Sequence, residues 1–419
     1  MAKTIGGKKR EDITLMSPAG SFESLQAALD AGAGAVYFGI GSLNMRSRSS
    51  GNFSIDDLGT IASLCREKAV KSCLTLNTLI YDEDHGAMRE MVTEAKKHGI
   101  SALIVSDVAA MEYAHAIGME LHLSTQLNIG NSEAVRFFSR YASVIVLARE
   151  LNLNQVSNIA RAIERDNITG PTGERVRLEM FIHGALCMAV SGKCYLSLHE
   201  AALSANRGSC LQICRRAYTV TEKESGRQLK IDNEYIMSPK DLCTIHFLNK
   251  IVDSGAEILK IEGRARSPEY VKTVTECYTE ALDAVFDGTY NEERIAGWRE
   301  RLETVFNRGF WDGWYLGRQL GEWSHVYGSK AKARKTYAGK ATNYYARHGV
   351  AEFLVENDTV KEGDRILIIG PTTGVIEMEI KGMRDDNGPA AEVGRGNSLA
   401  FKTPRVVRRS DKLYLVVSR

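Results

Sequence analysis

The stretch ITLMSPAGSFESLQAALDAGAGAVYFGI, residues 13–40, decides the fold. It opens on a short apolar run, continues through SFESLQAALDAG with apolar residues at helical spacing, and returns to a second apolar run, AVYFGI. A buried strand, an amphipathic helix and another buried strand form the βα unit of a parallel sheet. The alternation recurs in KSCLTLN with a helix through MREMVTEAKKHG, in SALIVSD with VAAMEYAHAIG, and in ELHLSTQ. It continues in SVIVLARE with NLNQVSNIARAIERD, in RLEMFIHG, and in EILKIEGR with YVKTVTECYTEALDAVF. These runs give eight strand candidates between Ile13 and Phe286, and no GxGxxG turn follows the first. The pattern predicts an α/β fold, a (β/α)8 TIM-like barrel rather than an open doubly wound sheet.

The expected boundaries are an N-terminal tail at 1–12 and a barrel domain at 13–328 that carries an insertion at 185–245. A basic linker at 329–336 then leads to a small C-terminal β-barrel domain at 337–419, where short strands with turn signals replace the helical period. The 419 residues are 44% hydrophobic and 25% charged, which suits a globular chain with a full core. No apolar run resembles a signal peptide or spans a bilayer, so the chain reads as soluble and cytoplasmic, with no membrane partner. In that compartment cysteines stay reduced, and a cluster of them favours metal binding or catalysis over bridges. The net charge of +2 is too small to announce a nucleic-acid binder. The stretch KAKARKTYAGKATNYYAR, 330–347, has six basic and no acidic residues, which suits either a phosphate backbone or a solvated linker.

In a TIM barrel, functional groups gather at the C-terminal strand ends. Here those ends are polar: Ser17, Gly39, Asn77, Asp107, Ser124 with Gln126, Arg149, His183, and Glu262 with Arg264. Between the seventh and eighth strands lie Cys187, Cys194, Cys210, Cys214 and Cys243, five of the eight cysteines; Cys65, Cys73 and Cys277 sit in strand or helix patterns as core residues. Their spacing has neither the paired CxxC knuckles of a zinc ribbon nor a ferredoxin run, which leaves a site assembled from dispersed thiolates.

The residues Glu179, Phe181, Gly184, Cys187, Gly192, Cys194 and Ser197 resemble the signature of peptidase family U32, and blocks such as RSSGNFS, HLSTQLNIGN, NRGSCLQICRRAY, MSPKDLC and LKIEGRARSPEYV extend the resemblance over residues 13 to about 285. The resemblance implies oxygen-independent hydroxylation of RNA, with the tRNA branch that makes 5-hydroxyuridine at the wobble position the best match. It also implies a 4Fe-4S cluster, prephenate as hydroxyl donor, tRNA as partner, and a sulfur- or electron-transfer protein as a further one. Hydroxylation of ribosomal RNA and collagenase-like peptidase (hydrolase) activity are the alternatives. Carried over residue by residue, the cluster ligands fall on Cys187, Cys194, Cys210 and Cys243. Cys214 is the alternative fourth ligand, and Cys243 is preferred because the MSPKDLC block carries it.

No HExxH or GxSxG is present, and a cysteine peptidase built on Cys187 with His183 or His199 would need only one of the five cysteines. An anionic donor calls for guanidinium groups, with candidates in Arg46 or Arg48, Arg149, Arg207, and Arg264 or Arg266. Lys260 and Glu262 alternate on one strand and are expected to face the barrel interior as an ion pair. His183, Glu262 and Lys260 are therefore the catalytic candidates, and Asn77, Gln126, Arg149, Arg207 and Arg264 the substrate-binding ones. The oligomeric state is not legible.

Overall fold

The computed structural model describes residues 4–48, 53–231, 238–318, 321–324, 326 and 328–419. Its first domain is a closed barrel of eight parallel strands: β1 Thr14–Pro18, β2 Ala35–Phe38, β3 Lys71–Leu76, β4 Ala102–Val105, β5 Leu121–Leu123, β6 Val144–Val146, β7 Arg177–Gly184 and β8 Ile258–Ile261. β8 closes it by pairing with β1 on one side (Leu15↔Leu259) and β7 on the other (Ile258↔Glu179). All eight strands read from the sequence are present, as are the helices read with them. Those are α1 Phe22–Asp30, α3 His85–Lys97, α4 Val108–Ala116, α6 Leu153–Arg165 and α9 Pro268–Asp287; the short α8 Leu248–Asp253 precedes β8.

Local chemistry starts these helices where they start. Ser21 accepts from the Ser24 amide, Asp107 from Ala109 and Asn152 from Gln155, each satisfying an amide that the first helical turn leaves open. Two crossover helices, α2 Leu58–Glu67 and α5 Ser132–Phe138, had no counterpart in the sequence reading. In α5 the span is seven residues with Val135 alone buried, too little for a helical period to show.

Outward strand residues such as Leu15, Val36, Leu74 and Leu103 pack beneath the helices as the main core. Inside the barrel, Met16, Tyr37, Cys73, Ala102, Ile104 and Ile258 form a separate apolar filling. Beyond β7 the chain leaves the βα rhythm for the insertion, which holds α7 Leu196–Ala201 and a hairpin of Tyr218–Thr221 with Gln228–Ile231. It returns as the strand Asp241–Cys243, antiparallel to the end of β7.

The C-terminal domain is an eight-stranded antiparallel sheet plus the ladder Thr359–Lys361 with Glu392–Gly394, both packed on one core that includes Phe353, Val360, Ile368 and Phe401. Its first strand, Ala333–Tyr345, begins inside the stretch read as a linker. Among the described residues no helix is long and apolar enough to cross a membrane.

Candidate active site

A cavity of about 200 Å³ opens at the C-terminal end of the barrel, between the strand ends and the insertion. Its floor is set by the two-residue alternation of β7 and β8, which turns Glu179, Phe181 and Lys260 inward. Lys260 Nζ lies 2.6 Å from Glu179 Oε1 and stands over the Tyr37 ring at 4.5 Å. Lys260 and Glu262 do share the interior face, but they do not pair with each other as expected. Glu262 instead takes Arg46, whose Nη2 is 3.0 Å from Oε1. Burial alone would raise the Glu262 carboxyl, yet Arg46, Arg266 and Arg149 outweigh it and hold the group down at about 2.

Four arginines surround this carboxylate in the lining. Arg264 donates to Thr75 Oγ1 at 2.7 Å and Asn44 Oδ1 at 3.1 Å, and burial lowers its pKa to about 10. Arg149 stacks on the Phe181 ring at 3.8 Å and donates to the Ala185 carbonyl, while its buried Nε has no hydrogen-bond partner among the described residues. Arg266 lies 3.6 Å over the Phe306 ring. Asn77 and Gln126 line the same cavity and are joined through Ser124, which accepts from Asn77 Nδ2 at 3.3 Å and donates to Gln126 Oε1.

Of the residues expected here, Lys260, Glu262, Asn77, Gln126, Arg149 and Arg264 come together. Arg207 does not line this cavity: it bonds Asp84 and the Leu79 carbonyl, stacks on Tyr81, and so ties the insertion to the loop after β3. Arg48 lines a separate cavity with Arg207. His183 is also turned away. Lys260 pairs with Phe181 but Ile261 pairs with His183, so Ile182 forms a bulge that reverses the facing of the next residue. The imidazole is buried among Tyr270, Tyr278 and Phe310, and burial first, then Arg266, drops its pKa to about 3.

The cysteines divide just as sharply. Cys187, Cys194, Cys210 and Cys214 all open onto the cavity. Burial raises Cys214 to about 11, and negative charge on Cys187, Cys210 and Cys194 adds to the rise. Gln212 takes a left-handed conformation and Ile213–Arg215 a 3-10 turn, a local fold that no helical spacing would forecast. Arg215, which the sequence reading passed over, fixes this turn by donating to the Leu186 carbonyl at 2.8 Å. Cys243 lies elsewhere, buried behind β7 opposite His183 and within 4.0 Å of the Tyr278 hydroxyl.

Residues 20–325 match the family profile of peptidase family U32. The chain belongs to that family. A protein named collagenase from Porphyromonas gingivalis is 59% identical over 403 residues, covering 96% of this chain and 97% of its own. The 23S rRNA 5-hydroxycytidine C2501 synthase of Escherichia coli is 34% identical, covering 72% of this chain and 45% of its own. A tRNA hydroxylation protein of Bacillus subtilis is 29% identical, covering 91% of this chain and 89% of its own. U32 relatives thus include proteins named for RNA hydroxylation as well as for proteolysis.

Three of the six basic residues in the stretch 330–347 are paired within the chain. Lys335 pairs with Glu269 at 2.7 Å and Lys340 with Glu356 at 2.6 Å, and Lys332 is matched to Glu303.

Proposed function

We propose that this U32 chain is an iron-sulfur-dependent RNA hydroxylase that acts on tRNA uridine, with prephenate as the hydroxyl donor. One observation carries the reading: four thiols and five arginines converge on a single cavity at the C-terminal end of a barrel, the end where functional groups gather. The thiols fit a 4Fe-4S cluster in number and kind, with Cys214 replacing Cys243 as the fourth ligand. Among the described residues no group of three or more His, Cys, Asp and Glu is arranged for a single metal ion. A cluster, being a larger body, takes thiolates set around a cavity rather than closed on one point. When bound, it supplies redox or Lewis-acid chemistry at the cavity mouth.

The remaining roles belong to the chain. Arg149, Arg264 and Arg266 bind the carboxylates of the donor, and Arg46 keeps Glu262 ionised so that it repels a misplaced anion and orients a correctly placed one. Lys260 holds a proton at Nζ on the cavity floor. Asn77 and Gln126 offer neutral hydrogen bonds to a uracil edge. A Cys187 peptidase would need a nearby base, and among the described residues no histidine lines the cavity.

The test pairs two measurements. Anaerobically purified protein should absorb broadly near about 400 nm as Fe-S proteins do. Nucleoside mass spectrometry should show 5-hydroxyuridine derivatives missing from tRNA of a strain that lacks the gene and any redundant partner. Unchanged tRNA beside rapid cleavage of denatured collagen by pure protein would instead establish the peptidase reading, which the name of the Porphyromonas gingivalis relative favours.

A further inference from the structure

The barrel floor holds a file of ionisable groups that the functional reading leaves unused apart from its last member. Lys260 faces the cavity and touches Glu179, which is fully buried. The other oxygen of Glu179 is 3.3 Å from His122 Nδ1. His122 Nε2 is 3.7 Å from Glu120 Oε1, and the Glu120 side chain is 34% exposed beside the more exposed Lys71 at 3.9 Å. Glu120 immediately precedes β5 and Lys71 begins β3, so this end opens on the N-terminal face, opposite the cavity.

We propose that Glu120, His122, Glu179 and Lys260 form a proton path through the floor of the barrel, which recharges Lys260 from the solvent on the far side. The step is a pure proton relay. Lys260 gives its proton to a bound anion and becomes a neutral amine. Glu179, a carboxylate at rest, takes the Nδ1 proton of His122 and passes it to that amine, while His122 Nε2 accepts a proton from solvent by way of Glu120; return of the imidazole to its Nδ1–H tautomer resets the file. One solvent proton reaches the ligand and no electrons move. The proposal rests on the hydroxylase reading only for the identity of the final proton acceptor.

Three observations favour conduction over a purely structural ion pair. First, the surroundings are dry: Met16, Ala102, Ile104 and Ile258 fill the interior around the file, so water cannot replace it. Second, Lys260 and Glu179 already balance each other, and buried ion pairs contribute little net stability, so a third titratable group linked onward to solvent is not needed to hold the fold. Third, the groups facing the file favour the protonated form of His122. Burial would depress the imidazole, but the carboxylates of Glu120 and Glu179 raise it above its ordinary value. Further charged or titratable neighbours are Arg177 near Glu120, Cys73 near Glu179, and Tyr37 against Lys260, whose ammonium also stands over the Phe181 ring.

The test uses the full chain labelled with 15N-histidine. Exchange of the His122 imidazole N–H should be insensitive to low concentrations of denaturant, unlike that of the buried Leu123 backbone amide on the same strand, because exchange along a path does not require unfolding. Glu120→Gln, a change at the solvent end, should slow it. Exchange that follows the denaturant dependence of the Leu123 amide, or exchange indifferent to Glu120→Gln, overturns the path. On tRNA, Glu120→Gln should lower kcat with KM unchanged and enlarge the solvent isotope effect; a rise in KM alone assigns Glu120 a structural role and overturns the proposal. A wild-type protein with no action on tRNA defeats the hydroxylase reading, while the exchange measurement still decides the path.

Discussion

At the scale of single residues, the site makes predictions that separate its members from their neighbours. Cys214→Ser should strip most of the iron and the absorbance near about 400 nm, as should Cys187→Ser. Cys243→Ser should keep both and cost about 1–3 kcal/mol in denaturant unfolding, because a hydroxyl would sit in a buried place that suits a thiol. Iron content measured on the two variants side by side decides the fourth ligand. Gly39 is tested in another way. A Cβ there would stand 2.5 Å from Arg264 Nη1 and 2.8 Å from Asn44 Cγ, and both side chains are anchored. Gly39→Ala should therefore displace the guanidinium, raise KM for an anionic co-substrate more than it lowers kcat, and cost about 1–3 kcal/mol of stability. The floor pair obeys a different rule. Lys260→Met leaves Glu179 without its ammonium in a dry interior and should destabilise by about 3–5 kcal/mol, whereas Lys260→Met with Glu179→Leu should recover much of the loss.

At the scale of elements, the bulge at Ile182 in β7 has a consequence that pH can read. It places His183 outside the barrel with a pKa of about 3, against 6.5 for an unperturbed imidazole. The unfolded chain then binds a proton that the folded chain refuses, so this group's contribution is present above about pH 6.5 and is lost as pH falls toward 3. The loss should run at about 1.4 kcal/mol per pH unit. Glu179 and Glu262, both near 2, add their own loss only below about pH 4.3, where unfolded carboxylates begin to protonate. His183→Phe should flatten the stability profile from pH 6.5 to 4.5 and leave the steeper limb below it intact, as urea unfolding across that range would show. The same bulge marks where sequence reasoning stops. The eight strands were legible because each is a short apolar run closed by a polar end, and the inward facing of Lys260 and Glu262 followed from strict alternation. Alternation carried through Ile182 would put His183 on the cavity face, and one extra residue in the pairing cancels that. The surroundings of Cys214 and Cys243 escape sequence reasoning for a related reason. Their positions depend on a left-handed Gln212, an irregular turn and a strand running back along β7, which are tertiary facts without a periodic signature.

At the scale of the whole molecule, the C-terminal sheet is a second core docked on the barrel rather than a continuation of it. The contact is an apolar patch in which Leu367, Ile369 and Val375 meet Ala27 of α1, rimmed by Arg405 with Asp30 and by Lys335 with Glu269 at 2.7 Å. Gly374 makes the close approach feasible: its φ is +66°, and a Cβ would come within 3.0 Å of Gln26. α1 and α9 follow β1 and β8, so the docked sheet braces the strand whose end carries Glu262 and Arg264. The rim pairs are partly exposed and contribute modestly, which leaves the apolar patch to hold the domains together. Leu367→Asp buries a carboxylate against Ala27 and should undock the sheet without unfolding it, because its own core does not depend on that face. Calorimetry should then resolve two transitions for the variant and one for the native chain. Iron should stay bound, since all four cavity thiols belong to the barrel domain, while activity should fall through a mobile β8 end. A single transition at unchanged temperature would show that the patch is not what couples the two domains.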